Sequence, residues 1–332
     1  MAHELEIRDG QASMMYVGDP PWHKLGTPLT QPATALEAIK AAKLDWQVIK
    51  LRLVVSHDGA AIPLDDHFAI VRQDLWKTPD YPILGVVGKQ YTPLQNEDAF
   101  AFFDPIVGHH AAVYHTAGVL GNGERVWILA KLPESIRVIG DDITDKYLLL
   151  SNSHDGSSAV QVKFTPIRVV CQNTLTMALR QGPTVRVIHN SSMRDRLAQA
   201  EKLLGIVNSR YQQIEKAFQA MVTVQMDKLK LDAYLQAVFP DPLDPEDERA
   251  WKRILSHRTL SEHYFADGRG NNQTGVKGTL WAAYNGVAEY VDYRLTGSGV
   301  SDRRLGSAWF GDGYSIKARA YDVALRRLSD LR

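Results

Sequence analysis

The sequence has a single cysteine and no long apolar run, and each absence excludes a class of protein. Cys171 is the only cysteine among 332 residues, so an internal disulfide and a zinc site built on thiolates are both excluded. No stretch comes near the roughly 18 apolar residues of a membrane span, and residues 1–10 lack the basic end and apolar run of a secretory signal. We therefore expect a soluble cytoplasmic protein with no membrane partner.

Catalytic motifs are absent or incomplete. Residues 270–275 resemble a phosphate-binding loop, but Val276 stands where the Walker lysine belongs and no apolar strand precedes the loop. Ser151 and Ser153 beside His154 lack a nucleophile elbow, and three histidines near residue 110 lack the helical spacing of a metal motif. We expect no enzyme activity, no cofactor and no metal site.

Charge is balanced over the whole chain but not along it. Lysine plus arginine and aspartate plus glutamate each number 38, so the net charge predicts no polyanionic partner. Residues 160–216 nevertheless contain nine basic and three acidic side chains. A polyanion would therefore be expected to bind this segment.

Strand and turn patterns dominate the first half of the chain. The first 30 or so residues are polar and rich in Gly and Pro, and we interpret them as an extended arm. Short segments rich in β-branched residues follow, and the turns at Gly121-Asn122-Gly123 and Asp155-Gly156 separate them as hairpin turns separate strands. Consecutive hairpins predict an antiparallel sheet, not the alternating strands and helices of a parallel nucleotide-binding fold.

Helical patterns fill the second half of the chain. An acidic capping sequence at residues 244–247 predicts a helix to about residue 257, and further helices are expected over 280–294 and 314–328. We predict an α+β fold with antiparallel β-hairpins followed by long amphipathic helices. A core domain with an N-terminal arm would occupy residues 1–240, and a helical C-terminal subdomain residues 241–332.

One helix is predicted directly after the second hairpin, over residues 166–181. Thr165 would cap it, Pro166 suits its first position, and apolar residues recur at a three-four spacing on one side. The other side carries a polar stripe of four residues at intervals of four: Arg168, Gln172, Thr176 and Arg180. This stripe is either a binding surface or an ordinary solvated helix face.

A second long helix is predicted from Ser192. Apolar residues follow it in alternating steps of three and four from Leu197 to Met221, which is a 3.5-residue repeat. Such a seam packs either along another helix of the same chain or against a second subunit. The second alternative leads us to expect a homo-oligomer.

Several segments together resemble a phage- and plasmid-related family known only as a domain of unknown function. The matching segments are residues 1–27, 91–100, 121–132, 155–179 and 278–295. Lys24 departs from the pattern, since a small residue is expected there. The resemblance implies a mobile-element context and the cytoplasm of a bacterial host cell, but no established activity.

A more distant likeness is to single-strand annealing proteins of the Red-beta and RecT kind. It rests on antiparallel hairpins that lead directly into a long basic amphipathic helix. The function it implies is non-catalytic binding of single-stranded DNA, with a role in annealing or recombination. The residues predicted to contact DNA are Lys163, Arg168, Gln172, Arg180, Arg186 and Arg194. The alternatives are an accessory protein that binds a protein partner and, less favoured, an undetected hydrolase or nuclease.

Overall fold

The computed structural model describes residues 5–18, 20–21, 24–30, 32–76, 78, 82–101, 112–168, 173–174, 185–187, 201–295, 307 and 311–330. Strands precede most of the helices, which confirms the predicted α+β class. The chain divides into two compact units. The first comprises residues 1–133, 147–164 and 183–206, and the second residues 134–146, 165–182 and 207–332. The predicted domain boundary at residue 240 stays a prediction.

The secondary structure is as follows. The described strands are β1 (Ile7–Arg8), β2 (Gln11–Ala12), β3 (Met14–Val17), β4 (Thr27–Leu29), β5 (Val48–His57), β6 (Ala60–Arg72), β7 (Ile83–Gly88), β8 (Val113–Leu120), β9 (Arg125–Ile139), β10 (Asp142–Ser153), β11 (Val160–Phe164), β12 (Ile167–Arg168), β13 (Asn173–Thr174) and β14 (Val185–Val187). The described helices are α1 (Ala35–Ala41), α2 (Asn96–Ala101), α3 (Glu201–Thr223), α4 (Lys228–Val238), α5 (Glu248–Asp267), α6 (Leu280–Tyr290) and α7 (Asp312–Asp330). A π-helical turn, Val291–Leu295, continues α6. None of the helices within the described ranges has the length and apolar character needed to cross a membrane.

The first unit contains a two-stranded sheet of β1 and β2 and strands of two larger sheets. One of the larger sheets includes the order β14-β11-β10-β9-β8-β3-β4, and the other has the order β5-β6-β7. Long apolar side chains from central strands are fully buried, among them Trp127 and Ile128 of β9 and Leu150 of β10. The predicted hairpins are confirmed: Leu120 pairs with Arg125 across one turn, and Leu150 pairs with Val162 across the other.

Part of the expected N-terminal arm is built into this sheet. Strand β3 pairs antiparallel with β8, with Met15 opposite Ala117, and β4 pairs parallel with β3. Met14 and Met15 are buried. Short strands of this kind were not predicted, because the Gly and Pro residues between them resemble an irregular segment.

A buried arginine lies beneath the turn that joins β8 and β9. Gly123 in this turn has a positive φ of 122°, and a Cβ there would lie 3.0 Å from Cδ of Arg72. The Arg72 side chain is fully buried and donates hydrogen bonds to the carboxylates of Glu6 and Asp74. Its guanidinium lies over the Trp46 ring, 4.1 Å from the centroid. The glycine is therefore needed both for its backbone conformation and for the space that Arg72 occupies.

The prediction of a helix over residues 166–181 is wrong for the residues in this range that the structure describes as strands. Ile167 and Arg168 form β12, which pairs with Asp145 and Thr144 of β10, and β13 pairs in turn with β12. β-branched residues such as Ile167 and Thr174 favour strands, and the free edge of β10 provides hydrogen-bonding partners. Over so few residues a three-four spacing does not distinguish a helix from short strands.

The predicted heptad helix is present as α3. The described helix begins at Glu201, and residues 188–200 lie outside the described part of the chain. Tyr211, Ile214, Phe218 and Met221 are all at most 3% exposed. The Phe218 ring packs against Trp281, with 4.5 Å between ring centroids. This half of the apolar seam therefore packs within the same chain.

Helix α6 is the buried centre of the second unit. All its residues are buried, and Thr279 caps its first turn by accepting from the Ala282 amide. A Cβ on Gly286 would lie 2.7 Å from the Phe265 amide nitrogen, so this glycine lets α5 approach closely. The Trp281 indole donates to Asp142 at 2.7 Å. Asp142, the first residue of β10, is fully buried.

Candidate nucleic-acid interface

Two of the predicted DNA-binding residues lie on adjacent strands of the first unit. Lys163 is on β11 and partly exposed, and Arg186 is on β14, where it pairs with Gln161. In the register of this ladder, Lys163 is therefore two residues along β11 from the partner of Arg186.

The remaining predicted residues are not brought into one described surface. Arg168 belongs to the second unit, where β12 pairs it with Thr144 and Asn173. Gln172, Arg180 and Arg194 lie outside the described residues. Because Arg168 is on a strand, the proposed helical stripe loses its first member.

Helix α5 of the second unit provides another basic surface. Its N-cap is Asp247, whose carboxylate accepts from the Ala250 amide at 2.9 Å. Trp251, in the first turn of the helix, donates from its indole to the carbonyl of Pro245, which precedes the helix, at 2.9 Å. The helix begins at Glu248, later than expected, and continues well beyond the expected end near residue 257. Tertiary packing explains the extension, since Ser261 is buried against α6.

The outer side of α5 carries three exposed cations. We call Arg249, Lys252 and Arg253 the basic face of α5. At about 100° per residue these positions fall within one arc of the helix, and successive turns are about 5.4 Å apart. No salt bridge joins any of the three to an acidic side chain among the described residues. Their charge is therefore available to a ligand.

Neighbouring cations of the second unit are neutralised. Lys228 of α4 contacts Asp232 at 2.8 Å and Glu262 at 2.7 Å. Arg258, on the opposite side of α5, donates to the Phe239 carbonyl and contacts Asp241. The lack of an acidic partner distinguishes the basic face from these surrounding lysines and arginines.

The pKa of a histidine next to the basic face, His257, depends on its burial and on a nearby charge. His257 is half-buried, and its Nδ1 lies 2.5 Å from the Tyr290 hydroxyl. Burial, together with the nearby positive charge of Arg253, lowers the pKa of His257. Burial also raises the pKa of Tyr290 to about 12. At neutral pH the imidazole is therefore uncharged and accepts the tyrosine proton in a hydrogen bond.

The surface continues beyond the basic face at the C-terminal end of α5. Tyr264 lies about three turns after Arg253, near the same helical meridian. The exposed Arg294 of the π-turn donates from Nε to the Tyr264 hydroxyl at 3.0 Å. Asp267 lies at this end as well, 3.5 Å from His263. The positive charge is thus concentrated at the N-terminal half of α5 and at Arg294.

The basic face was missed from the sequence, although a signal exists. Residues 249–261 contain four basic and no acidic side chains. Five carboxylates lie at residues 241–248, directly before this run, and a wide sequence window averages the two segments to near neutrality. Only the helix shows that Arg249, Lys252 and Arg253 share one side.

The serines and histidine near residue 154 form a hydrogen-bonded core. His154 is fully buried, with Nε2 at 3.1 Å from Oδ1 of Asn96. The Asn96 amide group donates to the carbonyls of Leu44 and Trp46. Ser153 donates to Asp155, whose carboxylate also accepts from the Ser157 amide at 2.8 Å. These contacts connect α2, β10 and the turn after β10 within the first unit.

Within the described ranges, no three His, Cys, Asp or Glu side chains come together in a group that could hold a metal ion. In the loop that resembles a phosphate-binding motif, Asn271 is buried and donates to the carbonyls of Tyr264 and Ala282. That side chain joins the loop to α5 and α6.

The sequence of the chain matches a known protein family. The profile of the family described as Domain of unknown function (DUF932) matches residues 83–309, which is more than half of the chain. The chain belongs to this family. The DUF932 region includes the basic face of α5 and all six predicted DNA-binding residues. No curated protein and no solved structure gives a significant match. The expected membership of an unknown-function family is thereby confirmed.

Proposed function

We propose that this protein binds single-stranded DNA through the basic face of α5, without chemically transforming it. The observation that supports this proposal is the exposure of three neighbouring cations with no acidic partner among the described residues. Such cations attract a phosphate backbone, and binding releases the counterions of the DNA. Arg249 and Arg253 can each hold two phosphate oxygens with a planar guanidinium.

The proposed biological role is strand annealing or recombination for a phage or plasmid. An annealing protein needs cations along a phosphate backbone and no nucleotide hydrolysis. Lys163 and Arg186 on one strand ladder, and Arg168 on β12, would supply further cations. The likeness to Red-beta and RecT rests on hairpins that lead directly into a long helix. Strands lie at residues 167–168 and 173–174, where that helix was expected, so these residues do not support the likeness. The basic face of α5 therefore carries the proposal.

Titration of a labelled single-stranded oligonucleotide at several salt concentrations tests the proposal. The variant Lys252→Ala/Arg253→Ala should weaken binding for all sequences alike. It should also reduce the slope of log affinity against log salt by about 1.4, because each phosphate contact to a single strand contributes about 0.7. Strand annealing, followed in the same samples, should slow in parallel.

The control removes two cations that already have acidic partners. The control variant is Lys228→Ala/Lys230→Ala. Each of these lysines forms an exposed ion pair with an acidic residue of α4, of α5 or of the α4 cap. This variant should retain near wild-type affinity and slope. An equal loss in the control would show that the basic face is not the interface. Absence of wild-type binding at low salt would refute nucleic-acid binding altogether.

Binding of a protein partner is the second candidate, and a different surface favours it. Val55 of β5 and Ile62 of β6 are about half exposed and lie opposite each other, so they share one face of the hairpin. Neighbouring apolar residues on a surface are typical of protein interfaces. Since a homo-oligomer is expected, we propose a second copy of the chain as the partner. Ile62→Lys should then lower the sedimenting mass in analytical ultracentrifugation, and an unchanged mass would contradict this candidate.

A further inference from the structure

An arginine and a tyrosine form a stacked pair near the C-terminal end of α5. Arg269 follows the helix after one intervening residue, and its guanidinium lies over the Tyr293 ring, 4.9 Å from the centroid. The Arg269 side chain is 61% exposed. The tyrosine thus supports a planar cationic group that remains accessible to solvent.

A buried carboxylate holds the same arginine. One oxygen of Glu289 accepts from the Arg269 amide at 2.9 Å, and the other lies 3.7 Å from Arg269 Nε. The Glu289 side chain is only 5% exposed, so this contact anchors both the backbone and the side chain of Arg269. Because the carboxylate compensates its charge, Arg269 is poorly suited to act as a phosphate-binding cation. The planar guanidinium group of Arg269 is nevertheless exposed to solvent.

The pair is continuous with the surface proposed for DNA. Tyr293 and Arg294 are consecutive in the π-turn, and Arg294 bonds to Tyr264 of α5. Such π-helical turns occur frequently at functional sites, because they displace side chains from the regular helical path. Here the turn presents Tyr293 towards Arg269 and Arg294 towards Tyr264.

We propose that the Arg269–Tyr293 pair stacks an unpaired nucleobase of a DNA strand that lies along the basic face of α5. Guanidinium planes and aromatic rings are the groups on which proteins stack exposed bases. Bases inside a duplex already stack on one another and are not available. The pair therefore makes the protein prefer single strands to duplexes. This inference rests on the proposed function, and adds to it the nucleobase as the group recognised.

Substitution of Arg269 by lysine separates stacking from charge. Arg269→Lys keeps the positive charge and removes the planar group. Its affinity for a single-stranded oligonucleotide should fall on the order of tenfold, the effect of losing one stacked base. The salt slope should stay at the wild-type value, whereas Lys252→Ala/Arg253→Ala lowers it. Duplex affinity should not change in Arg269→Lys.

Oligonucleotides without bases provide the matched ligand. Wild-type protein should bind a strand containing consecutive abasic sites about tenfold more weakly than the intact strand. The Arg269→Lys variant should bind both strands equally. Tyr293→Phe, which keeps the ring, should behave as wild type, and Tyr293→Leu should behave as Arg269→Lys. Thermal melting of each variant checks that the fold is retained.

The outcomes distinguish this inference from the proposed function. If wild-type protein binds no DNA at low salt, both are wrong. If it binds intact and abasic strands equally well, or if Arg269→Lys retains the wild-type preference for the intact strand, the stacking site alone is wrong. A reduced salt slope in Arg269→Lys would likewise overturn it, since Arg269 would then act as a phosphate-binding cation.

Discussion

The two units use their charged residues in different ways. In the first unit, Arg72 is enclosed by Glu6 and Asp74, and Arg8 contacts Asp74 at 2.5 Å. Although burial favours the neutral acid, hydrogen bonds and the charges of Arg72 and Arg8 hold the pKa of Asp74 below its usual value. In the second unit the basic face of α5 is exposed and has no such partners in the described part of the chain.

This difference separates cations that stabilise the fold from cations that are available to bind a ligand. Arg72 joins segments that are far apart in sequence, since it also donates to the Asn122 carbonyl at 3.1 Å. Its removal would leave the buried Glu6 carboxylate without its charged partner. Loss of Lys252 or Arg253 would leave no buried group unpaired. We therefore expect large stability effects at buried pairs and mainly binding effects on α5.

The largest stability effect is expected at Arg72. Arg72→Met should lower the free energy of unfolding by about 3–5 kcal/mol, because the buried Glu6 carboxylate would lose its charged partner. Urea denaturation measures the change. Arg8→Ala, which removes a partly exposed partner of the same Asp74, should cost no more than about 1 kcal/mol. Equal effects of the two substitutions would contradict the assignment of Arg72 as a buried structural charge.

A comparable charge pair stabilises the second unit. Lys317 of α7 is fully buried and donates to Asp292 of the π-turn at 2.6 Å. Lys317→Met should lower the free energy of unfolding by about 3 kcal/mol. The double variant Lys317→Met/Asp292→Leu should recover most of that loss, because no buried charge remains. A double variant as unstable as the single one would show that the pair also has a packing role.

A smaller effect is expected where α5 crosses α6. Gly286→Ala places a methyl group 2.7 Å from the Phe265 amide, and should destabilise the protein by about 1–3 kcal/mol. Gly88→Ala in β7 is the control, since a Cβ there meets no atom within 4 Å and should change stability by less than about 0.5 kcal/mol. The same denaturation measurement applies to both. No difference between the two variants would contradict the close helix crossing.

The smallest effect is a pH dependence that arises beside the basic face. Because the pKa of His257 is lowered from 6.5 in the folded protein, unfolding binds a proton as the pH falls below about 6.5. The stability contribution of neutral His257 is therefore complete above that pH and is lost as the pH falls towards the folded-state pKa. Melting temperatures at about pH 7.5 and 5.5 should differ more for wild type than for His257→Gln. Identical pH dependence would show that His257 titrates normally.

Much of the fold was predictable because its signals are local. Glycine-containing turns separate the strands of the hairpins, and helices lie at α6 and α7, close to the expected ranges 280–294 and 314–328. The strands β12 and β13 were not predictable in this way. Their residues fit a helical spacing over a short window, and the choice depends on pairing with β10, which is distant in sequence.

The candidate interface shows the same limit at the level of side chains. Lys163, Arg168 and Arg186 were selected from an excess of basic residues along the sequence, and the structure places them on strands of two units. Arg249, Lys252 and Arg253 were overlooked because acidic residues precede them directly. Whether a cation is paired or available depends on which carboxylates lie within about 4 Å, and sequence distance does not report this.

The sequence by itself determined the α+β class, the hairpin turns, most helix positions and the family, because these depend on local propensity, on repeated spacing and on similarity. The tertiary structure alone decided that β3 and β4 join a sheet, that residues 167–168 extend as a strand, and that Asp142 is buried against Trp281. It also decided which cations remain without a partner. These features arise from contacts between residues far apart in the chain, whose energies exceed the small differences in local preference.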